Sequence, residues 1–508
     1  MTRGRPLRLA SAQHDRAAGV LLGAACGDAL GVPYEFATPP RAGVLAEMTG
    51  GGLGNFAPGE WSDDTSMAVA IAEVAATGVD LTSVEALDQI ALGFARWHDG
   101  GPADIGIQTR AVLGSVSRRL RGGEVSASRI AHEEAAAYAR RHARSAGNGA
   151  LMRTAPVALA HLHDRDRCAR AARLVAELTH ADPLAGDSCV LWTEAVRLAV
   201  LNGEVDVRGG LDLLPQERRE QWSQWLDEVL ARDSASFAPN RYTVTALQAA
   251  TAAVLRTPVP AEAAADGSFA CLHLQDALHA AVRIGDDTDT VAAIAGGLLG
   301  ARWGASAVPW RWRRAVHGWP GRDGRDLTTL ATLTVFGGRA DPVGWPVTDE
   351  VEYLERTTSR VVPHPHDEGV LLGTHAARGH GATAVVSACR VGRGQPCLDG
   401  AEVVVESRLL DSDDPRKNQN LAFSLYDAAD AVRGLRAEGH VVLLHCVAAH
   451  QRTPSIALAY SRLLSVDAAT ARRDVLSVLP SARGRGVVWD AAAAGPRGHV
   501  SSGTRGDT

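Results

Sequence analysis

The chain has 508 residues, more than the ~250 to 300 at which single hydrophobic cores stop growing, so it predicts two domains. With 46% hydrophobic and 22% charged residues it is typical of soluble globular protein, and its net charge of −6 offers no basic footprint for nucleic acid or anionic membrane. Apolar stretches fall short of the ~18 to 20 residues that span a bilayer. The seven scattered cysteines match neither zinc nor disulfide spacing, so we expect a cytoplasmic protein without nucleic-acid or membrane partners.

The apolar periodicity changes partway along the chain. From 15 to 336 it follows successive helices, separated by Gly, Pro and Asp turns. After a break at 337–346, short β-branched runs at 369–372, 384–387, 403–405 and 441–444 alternate with helical segments such as 421–438, which is typical of a parallel α/β sheet. We therefore predict a helical domain at 1–340, a linker at 341–368, an α/β domain at 369–494 and a disordered tail at 495–508.

Three acidic motifs stand in the helical half: G-D-A-L-G-V-P-Y-E at 27–35, W-S-D-D-T-S-M at 61–67 and G-D-D-T-D-T at 285–290. The last two each open an alanine-rich helix, where Asp, Ser and Thr are common caps. Capping needs one carboxylate or hydroxyl, whereas Asp286, Asp287 and Asp289 crowd a single turn. Oxygen ligands without cysteine favour Mg²⁺ or Mn²⁺, and two such clusters predict a binuclear site.

Gly23, Gly27 and Gly31 recur at four-residue spacing on the helix that leads into the first acidic motif. Glycine is costly inside a helix, and close packing against another helix is the simplest reason to keep it there. Such packing is compatible with a buried metal site.

Two further motifs, G-N-G-A-L-M-R at 147–153 and T-H-A-D at 179–182, complete an ordered set. With it, the chain through about residue 335 resembles the ADP-ribosylglycohydrolase family. The resemblance implies an all-α orthogonal helical bundle that holds two Mg²⁺ or Mn²⁺ ions between helix starts. It also implies hydrolysis of the glycosidic bond that joins ADP-ribose to a protein arginine or serine, or to a small acceptor. A metal-bound ADP-ribose sensor without turnover is the alternative.

The resemblance assigns residue roles as well. It implies these metal ligands: Ser62, Asp63, Asp64, Asp287, Asp289 and Thr290. Glu35 matches an acidic residue that gates the site or acts as a base, and Asn148, Gly149 and His180 match positions lining the ADP-ribose pocket. By itself, His180 would be interpreted as a structural or capping histidine, and only its place in the ordered motif set favours the pocket. Ser62 replaces a frequent threonine, and Asp286 replaces a common glycine.

A second candidate site lies in the C-terminal half. The apolar run 441–444 predicts a buried strand, followed by H-C-V-A-A-H-Q-R-T-P-S at 445–455 and a helix. A loop at a helix N-terminus directs N–H groups at phosphate, arginine binds phosphate bidentately, and the same field lowers a cysteine pKa. Over about 350–490 the chain resembles the cysteine-based protein tyrosine and dual-specificity phosphatases. The resemblance implies that Cys446 is the nucleophile, that Arg452 binds the phosphate and that Thr453 assists the leaving thiolate. Ala449 departs from a usual glycine.

Those phosphatases also need a general acid, and Asp411, Asp413 and Asp414 are available before the helix at 421. Asp411 is the first choice, with a solvated acidic loop as the alternative for each. We predict phosphoester hydrolysis by this domain on a phosphorylated substrate. The alternative is a non-catalytic module that recognises phosphate or ADP-ribose and brings the hydrolase to an ADP-ribosylated protein or small molecule.

Overall fold

The computed structural model describes residues 9–353 and 357–498, and it contains a helical domain followed by a domain built on a five-stranded sheet. The helical domain comprises α1 (Ser11–Gly31), α2 (Asp63–Ala75), α3 (Val84–Asp99), α4 (Ile107–Arg121), α5 (Ala127–Arg141), α6 (Ala155–Ala160), α7 (Arg165–Glu177), α8 (Pro183–Asn202), α9 (Gln216–Ala231), α10 (Thr243–Arg256), α11 (His273–Ile284), α12 (Thr288–Trp303), α13 (Trp310–Ala315), β1 (His317–Gly318), β2 (Arg322–Asp323) and α14 (Gly324–Val335). The C-terminal domain comprises β3 (Val361–His364), β4 (Asp367–Thr374), β5 (Ala384–Ser387), β6 (Val403–Glu406), α15 (Leu421–Ala437), β7 (Val442–Cys446), α16 (Arg452–Leu463), α17 (Ala468–Val478) and α18 (Val487–Ala494).

Helices α1 and α12 form the closely packed centre of the helical domain. A Cβ added at Gly23 would lie 2.3 Å from the carbonyl oxygen of Gly296, and one at Gly27 would lie 2.0 Å from that of Ala292. At Gly31 it would lie 2.4 Å from the Cα of Asp289. The predicted close packing is therefore confirmed, and it brings the end of α1 to the start of α12.

The sequence estimate that no segment is long and apolar enough to cross a bilayer was wrong for one stretch. Ser11–Tyr34 meets both criteria by length and composition, with a mean hydropathy of 1.3. However, 89% of its apolar window is buried inside the bundle. This burial is expected of a core helix, which α1 is.

The sheet has the strand order β3-β4-β7-β5-β6, in which β4, β7, β5 and β6 run parallel and β3 is antiparallel to β4. The four parallel strands match the predicted β-branched runs. Strand β3 was not expected, and it contains Pro363, which is tolerated because β3 is an edge strand. β3 and the start of β4 fall within the stretch predicted as a linker.

The two domains share a polar, partly buried interface. Asp427 on α15 accepts hydrogen bonds from the backbone N–H of Trp310 and from the Arg313 guanidinium, both at 2.8 Å. Asp430, one turn later, accepts from the indole N–H of Trp310 at 2.8 Å. At the other end of the domain, the N–H of Gly498 donates to the carbonyl of Arg462 at 3.0 Å. The remainder of the predicted disordered tail, 499–508, lies outside the described residues.

Candidate functional site

The carboxylate of Asp28 organises the start of α2. Its Oδ1 accepts from the N–H and hydroxyl of Ser62 at 2.9 and 2.8 Å, and its Oδ2 accepts from the N–H and hydroxyl of Thr65 at 2.9 and 2.6 Å. A carboxylate offers about four acceptor positions, so all of them are used. Asp28 therefore caps α2 from a neighbouring helix and sets the direction in which the W-S-D-D-T motif faces.

Two groups of buried carboxylates meet between the ends of α1, α2 and α12. One consists of Asp28, Asp64 and Asp289, and the other of Glu35, Asp287 and Asp289; within each group the oxygen atoms lie within 4.8 Å of one another. Asp289 belongs to both. Acids this close repel one another strongly unless cations lie between them, so the geometry fits two adjacent positions for hard, oxygen-preferring cations.

The electrostatics of the metal-free site agree with that fit. Burial, followed by the nearby charges of Asp104, Asp287 and other acids, raises the pKa of Glu35 to about 9. Burial and the charge of Asp104 raise the pKa of Asp63 to about 8. Glu35 Oε2 and Asp64 Oδ1 are buried without a hydrogen-bond partner among the described residues. Unpartnered buried carboxylate oxygens are costly, and a divalent cation would satisfy them.

The two hydroxyl ligands expected from the sequence lie at this site. Ser62 Oγ contacts Asp64 Oδ2 at 3.1 Å, and Thr290 Oγ1 lies 3.4 Å from the same oxygen. Asp64, Asp287 and Asp289 are in the carboxylate groups, as predicted. Asp63 belongs to neither group in this geometry, although it is close enough to Glu35 to raise its pKa.

Asparagine side chains hold Asp287 in place. Asn148 Nδ2 donates to Asp287 Oδ2 at 2.8 Å, and Asn240 Oδ1 accepts from the Asp287 N–H at 3.0 Å. His180 lies directly beneath the 147–149 turn, because a Cβ at Gly149 would be only 3.1 Å from the imidazole. Burial lowers the pKa of His180 to about 3, which keeps the ring neutral. The structure thus brings Asn148, Gly149 and His180 together beside the carboxylates.

Asp286 faces away from the acidic groups. Its carboxylate accepts from the N–H of Asn240 at 2.8 Å and lies 3.5 Å from the guanidinium of Arg241. Its φ of +65° is in the left-handed region that favours glycine. This explains why glycine is common at the position, and it supports a structural role for Asp286.

Two acids near the site were missed by sequence reasoning. Asp28 stands within the first quoted motif, and the available signal was that it is the only charged residue in the apolar run 17–31. Asp104 precedes α4 and contributes to the raised pKa values of Glu35 and Asp63. Nothing in the sequence around Asp104 distinguishes it from an ordinary loop residue.

In the second candidate site the predicted strand and helix are both present, but β7 ends at Cys446 and α16 begins at Arg452, so both extend into the motif at 445–455. Ala449 has a φ of +55°, which is in the left-handed region that favours glycine, so this position of the loop is conformationally strained. Arg452 Nη1 donates to the carbonyls of Ala388 and Leu409 at 2.8 and 3.4 Å. Arg452 Nε, Thr453 Oγ1 and Ser455 Oγ are buried without a hydrogen-bond partner among the described residues.

The three candidate acids differ in their contacts. Asp411 lies 3.6 Å from Arg452 Nε. Asp413 accepts from the Gln451 amide and the Val487 N–H, both at 3.1 Å. Asp414 caps the turn at 415–417 and pairs with Arg416 at 2.9 Å. Only Asp411 of the three points to the Arg452 guanidinium, which favours the first choice made from the sequence.

The fold and site define a helical domain, with one short pair of strands, whose buried acidic centre could hold hard cations between helix starts. The chain belongs to the ADP-ribosylglycohydrolase family, whose model matches residues 9–341. An ADP-ribosylarginine hydrolase of Pseudomonas putida is 30% identical over 313 residues, 59% of this chain and 74% of that protein. The ADP-ribosyl-[dinitrogen reductase] glycohydrolase of Rhodospirillum rubrum is 29% identical over 304 residues, which cover 59% of this chain and 89% of that protein. The ADP-ribosylhydrolase ARH3 of Bos taurus is 28% identical over 348 residues, which cover 60% of this chain and 89% of that protein.

Proposed function

We propose that this protein hydrolyses the glycosidic bond between ADP-ribose and a modified protein side chain, arginine or serine, or a small acceptor. The observation that carries the proposal is the pair of buried carboxylate groups that share Asp289. Family membership supports it, as do relatives named as hydrolases of ADP-ribosylated arginine and dinitrogen reductase. We also propose that the protein acts in the cytoplasm, without nucleic-acid or membrane partners.

The residues that would hold Mg²⁺ or Mn²⁺ are Ser62, Asp63, Asp64, Asp287, Asp289 and Thr290. When bound, such ions polarise oxygen atoms and lower the pKa of coordinated water. The protein's own side chains hold the Asp287 carboxylate in position and transfer the proton. Asn148 and Asn240 fix the Asp287 carboxylate through contacts of 2.8 and 3.0 Å. Glu35 lies beside Asp287 and Asp289, where it would act as the base toward the reacting group.

The test is release of ADP-ribose from ADP-ribosylated arginine and serine peptides in Mg²⁺, Mn²⁺ or EDTA. We expect release only with a divalent ion, and a loss of at least about 100-fold in Asp287→Asn and Asp63→Asn, because each removes a charge at the proposed ions. Asp286→Asn is the matched control, since that carboxylate binds Asn240 and Arg241 instead. Release in EDTA would refute the metal-dependent mechanism, and ADP-ribose binding without release would make the domain a sensor.

For the C-terminal domain we propose phosphoester hydrolysis, with Cys446 as nucleophile, Arg452 and Thr453 binding phosphate, and Asp411 as general acid. The supporting observation is the set of unpartnered buried polar atoms at the start of α16: Arg452 Nε, Thr453 Oγ1 and Ser455 Oγ. Buried donors without partners are costly in the free protein and would be satisfied by an oxyanion. The second candidate function is recognition of phosphate without turnover.

Wild type and Cys446→Ser should be compared with an aryl phosphate that releases a chromophore. We expect an initial burst and turnover from wild type only, because a serine hydroxyl is a much weaker nucleophile than a thiolate. Cys397→Ser, a buried cysteine of the same domain, is the control and should retain turnover. Equal phosphate binding by wild type and Cys446→Ser, without turnover by either, would favour recognition.

A further inference from the structure

A cavity of 380 Å³ lies between the two domains. Its helical-domain wall includes His14 in the first turn of α1 and Phe336 just after α14, and its other wall follows the chain after β5 and β6. The volume is within the ~300 to 1,000 Å³ of small-molecule sites. Among the described residues, neither the carboxylates of the metal centre nor Cys446 lines the cavity. The cavity is therefore separate from the metal centre, and it adjoins the second candidate site, whose Arg452 and Asp411 also line it.

The acids that line this cavity are already satisfied. Asp15 accepts from the N–H of Ser306 at 3.1 Å and from the hydroxyl of the same residue. Glu406 pairs with Arg325 at 2.8 Å. Asp411 faces Arg452. Each negative charge thus has a partner within the protein.

Two of the lining cations are not satisfied. Within 9–353 and 357–498, the guanidinium of Arg408 and the ammonium of Lys417 have neither a hydrogen bond nor an ion pair. Arg408 is half-buried, and burial lowers its pKa more than the nearby charges of Asp15 and Glu406 raise it. Because neither acid accepts a hydrogen bond from its guanidinium, the N–H groups of Arg408 remain available to an anion in the cavity.

Aromatic rings stand beside these cations. The Arg408 guanidinium lies 5.9 Å from the centre of the Trp345 ring. On the opposite wall, the rings of His14 and Phe336 are 4.8 Å apart and tilted against each other. Tyr353 also lines the space. An apolar, aromatic wall next to free cations complements a ligand that combines a flat ring with a phosphate.

We propose that the interdomain cavity binds a nucleoside phosphate, with its phosphate on Arg408 and Lys417 and its base against the aromatic wall. The site stands on residues outside the proposed hydrolase centre, and it requires no catalysis by Cys446. Because both domains contribute walls, an occupant contacts the two of them at once.

The test is calorimetric titration of the full-length, metal-free protein with AMP, adenosine and inorganic phosphate. We expect one AMP per chain, bound at least about tenfold more tightly than either fragment, because each fragment satisfies only half of the cavity. Arg408→Met should weaken AMP binding about tenfold or more. Arg416→Met is the matched control, since this arginine is 88% exposed and does not line the cavity, and it should bind AMP as wild type does.

Unchanged AMP binding in Arg408→Met would overturn the proposal, as would AMP binding no tighter than phosphate or adenosine. Lys417→Met provides the same test at an exposed position should circular dichroism show that Arg408→Met is misfolded. AMP binding that persists in Asp289→Asn and in Arg452→Met but is lost in Arg408→Met would assign the phosphate to Arg408 and Lys417 rather than to either candidate active site. Loss of AMP binding in Asp289→Asn but not in Arg408→Met would assign it to the hydrolase centre and refute the cavity.

Discussion

Gly27→Ala should destabilise the helical domain through the α1–α12 contact. The new Cβ would lie 2.0 Å from the carbonyl oxygen of Ala292, whereas ordinary contact begins at 3.4 Å, so the helices must separate by up to 1.4 Å. The atom in the way is backbone and cannot rotate aside. A gap of ~0.5 to 1 Å already forfeits a quarter to a half of each dispersion contact.

The magnitude follows from two opposing effects. Overpacking costs about 1 to 3 kcal/mol, and more where backbone must move. Replacing a mid-helix glycine by alanine recovers about 1 kcal/mol of helix propensity. Because backbone must move, the upper end of the overpacking cost applies, and we expect a net loss of about 2 kcal/mol in the free energy of unfolding. Because α1 and α12 carry Asp28 and Asp289, Mg²⁺ binding should weaken as well.

Urea unfolding followed by tryptophan fluorescence measures the first effect, and Mg²⁺ titration measures the second. Gly114→Ala is the matched control, since its Cβ on α4 would meet nothing closer than 3.6 Å. That variant should gain about 0.5 to 1 kcal/mol. A Gly27→Ala protein as stable as wild type would refute the reasoning from close packing.

Three further outcomes are expected. Asp289→Asn should stabilise the metal-free protein, because burial and neighbouring acids hold the pKa of Asp289 well above its ordinary value. The same substitution should abolish stabilisation by Mg²⁺. A thermal shift assay with and without Mg²⁺ measures both effects. Since the folded pKa values of Asp63 and Glu35, about 8 and about 9, exceed the ordinary 3.8 and 4.5, metal-free stability should be full at acid pH and fall as pH rises to about 9. Unfolding midpoints that stay constant or rise over that range would contradict this prediction. Ala449→Gly should raise stability by about 1 kcal/mol by relieving a left-handed φ, measured by urea unfolding, with Ala457→Gly inside α16 as the destabilising control.

Helix α1 extends from the acidic centre at Asp28 to the interdomain cavity at His14. α1 carries Asp28 near its end, at the acidic centre, and His14 near its start, at the interdomain cavity. The sequence contains no sign of this connection. From Ala17 onward α1 is apolar all round, and only the packing of neighbouring elements shows which site each end of the helix meets.

The local pattern of the chain determined most of the elements and most of the acidic centre. The β-branched runs located the four parallel strands, because a buried strand is marked by a few consecutive apolar residues. The crowding of Asp287 and Asp289 at a helix start indicated a cation site, because the repulsion between these carboxylates follows from their spacing in the sequence. The tertiary structure alone decided that Asp28 caps α2, that Asp104 acts on Glu35, and that Asp411 meets Arg452. These contacts join residues far apart in the chain, and their distances depend on how whole helices pack, which local periodicity does not specify.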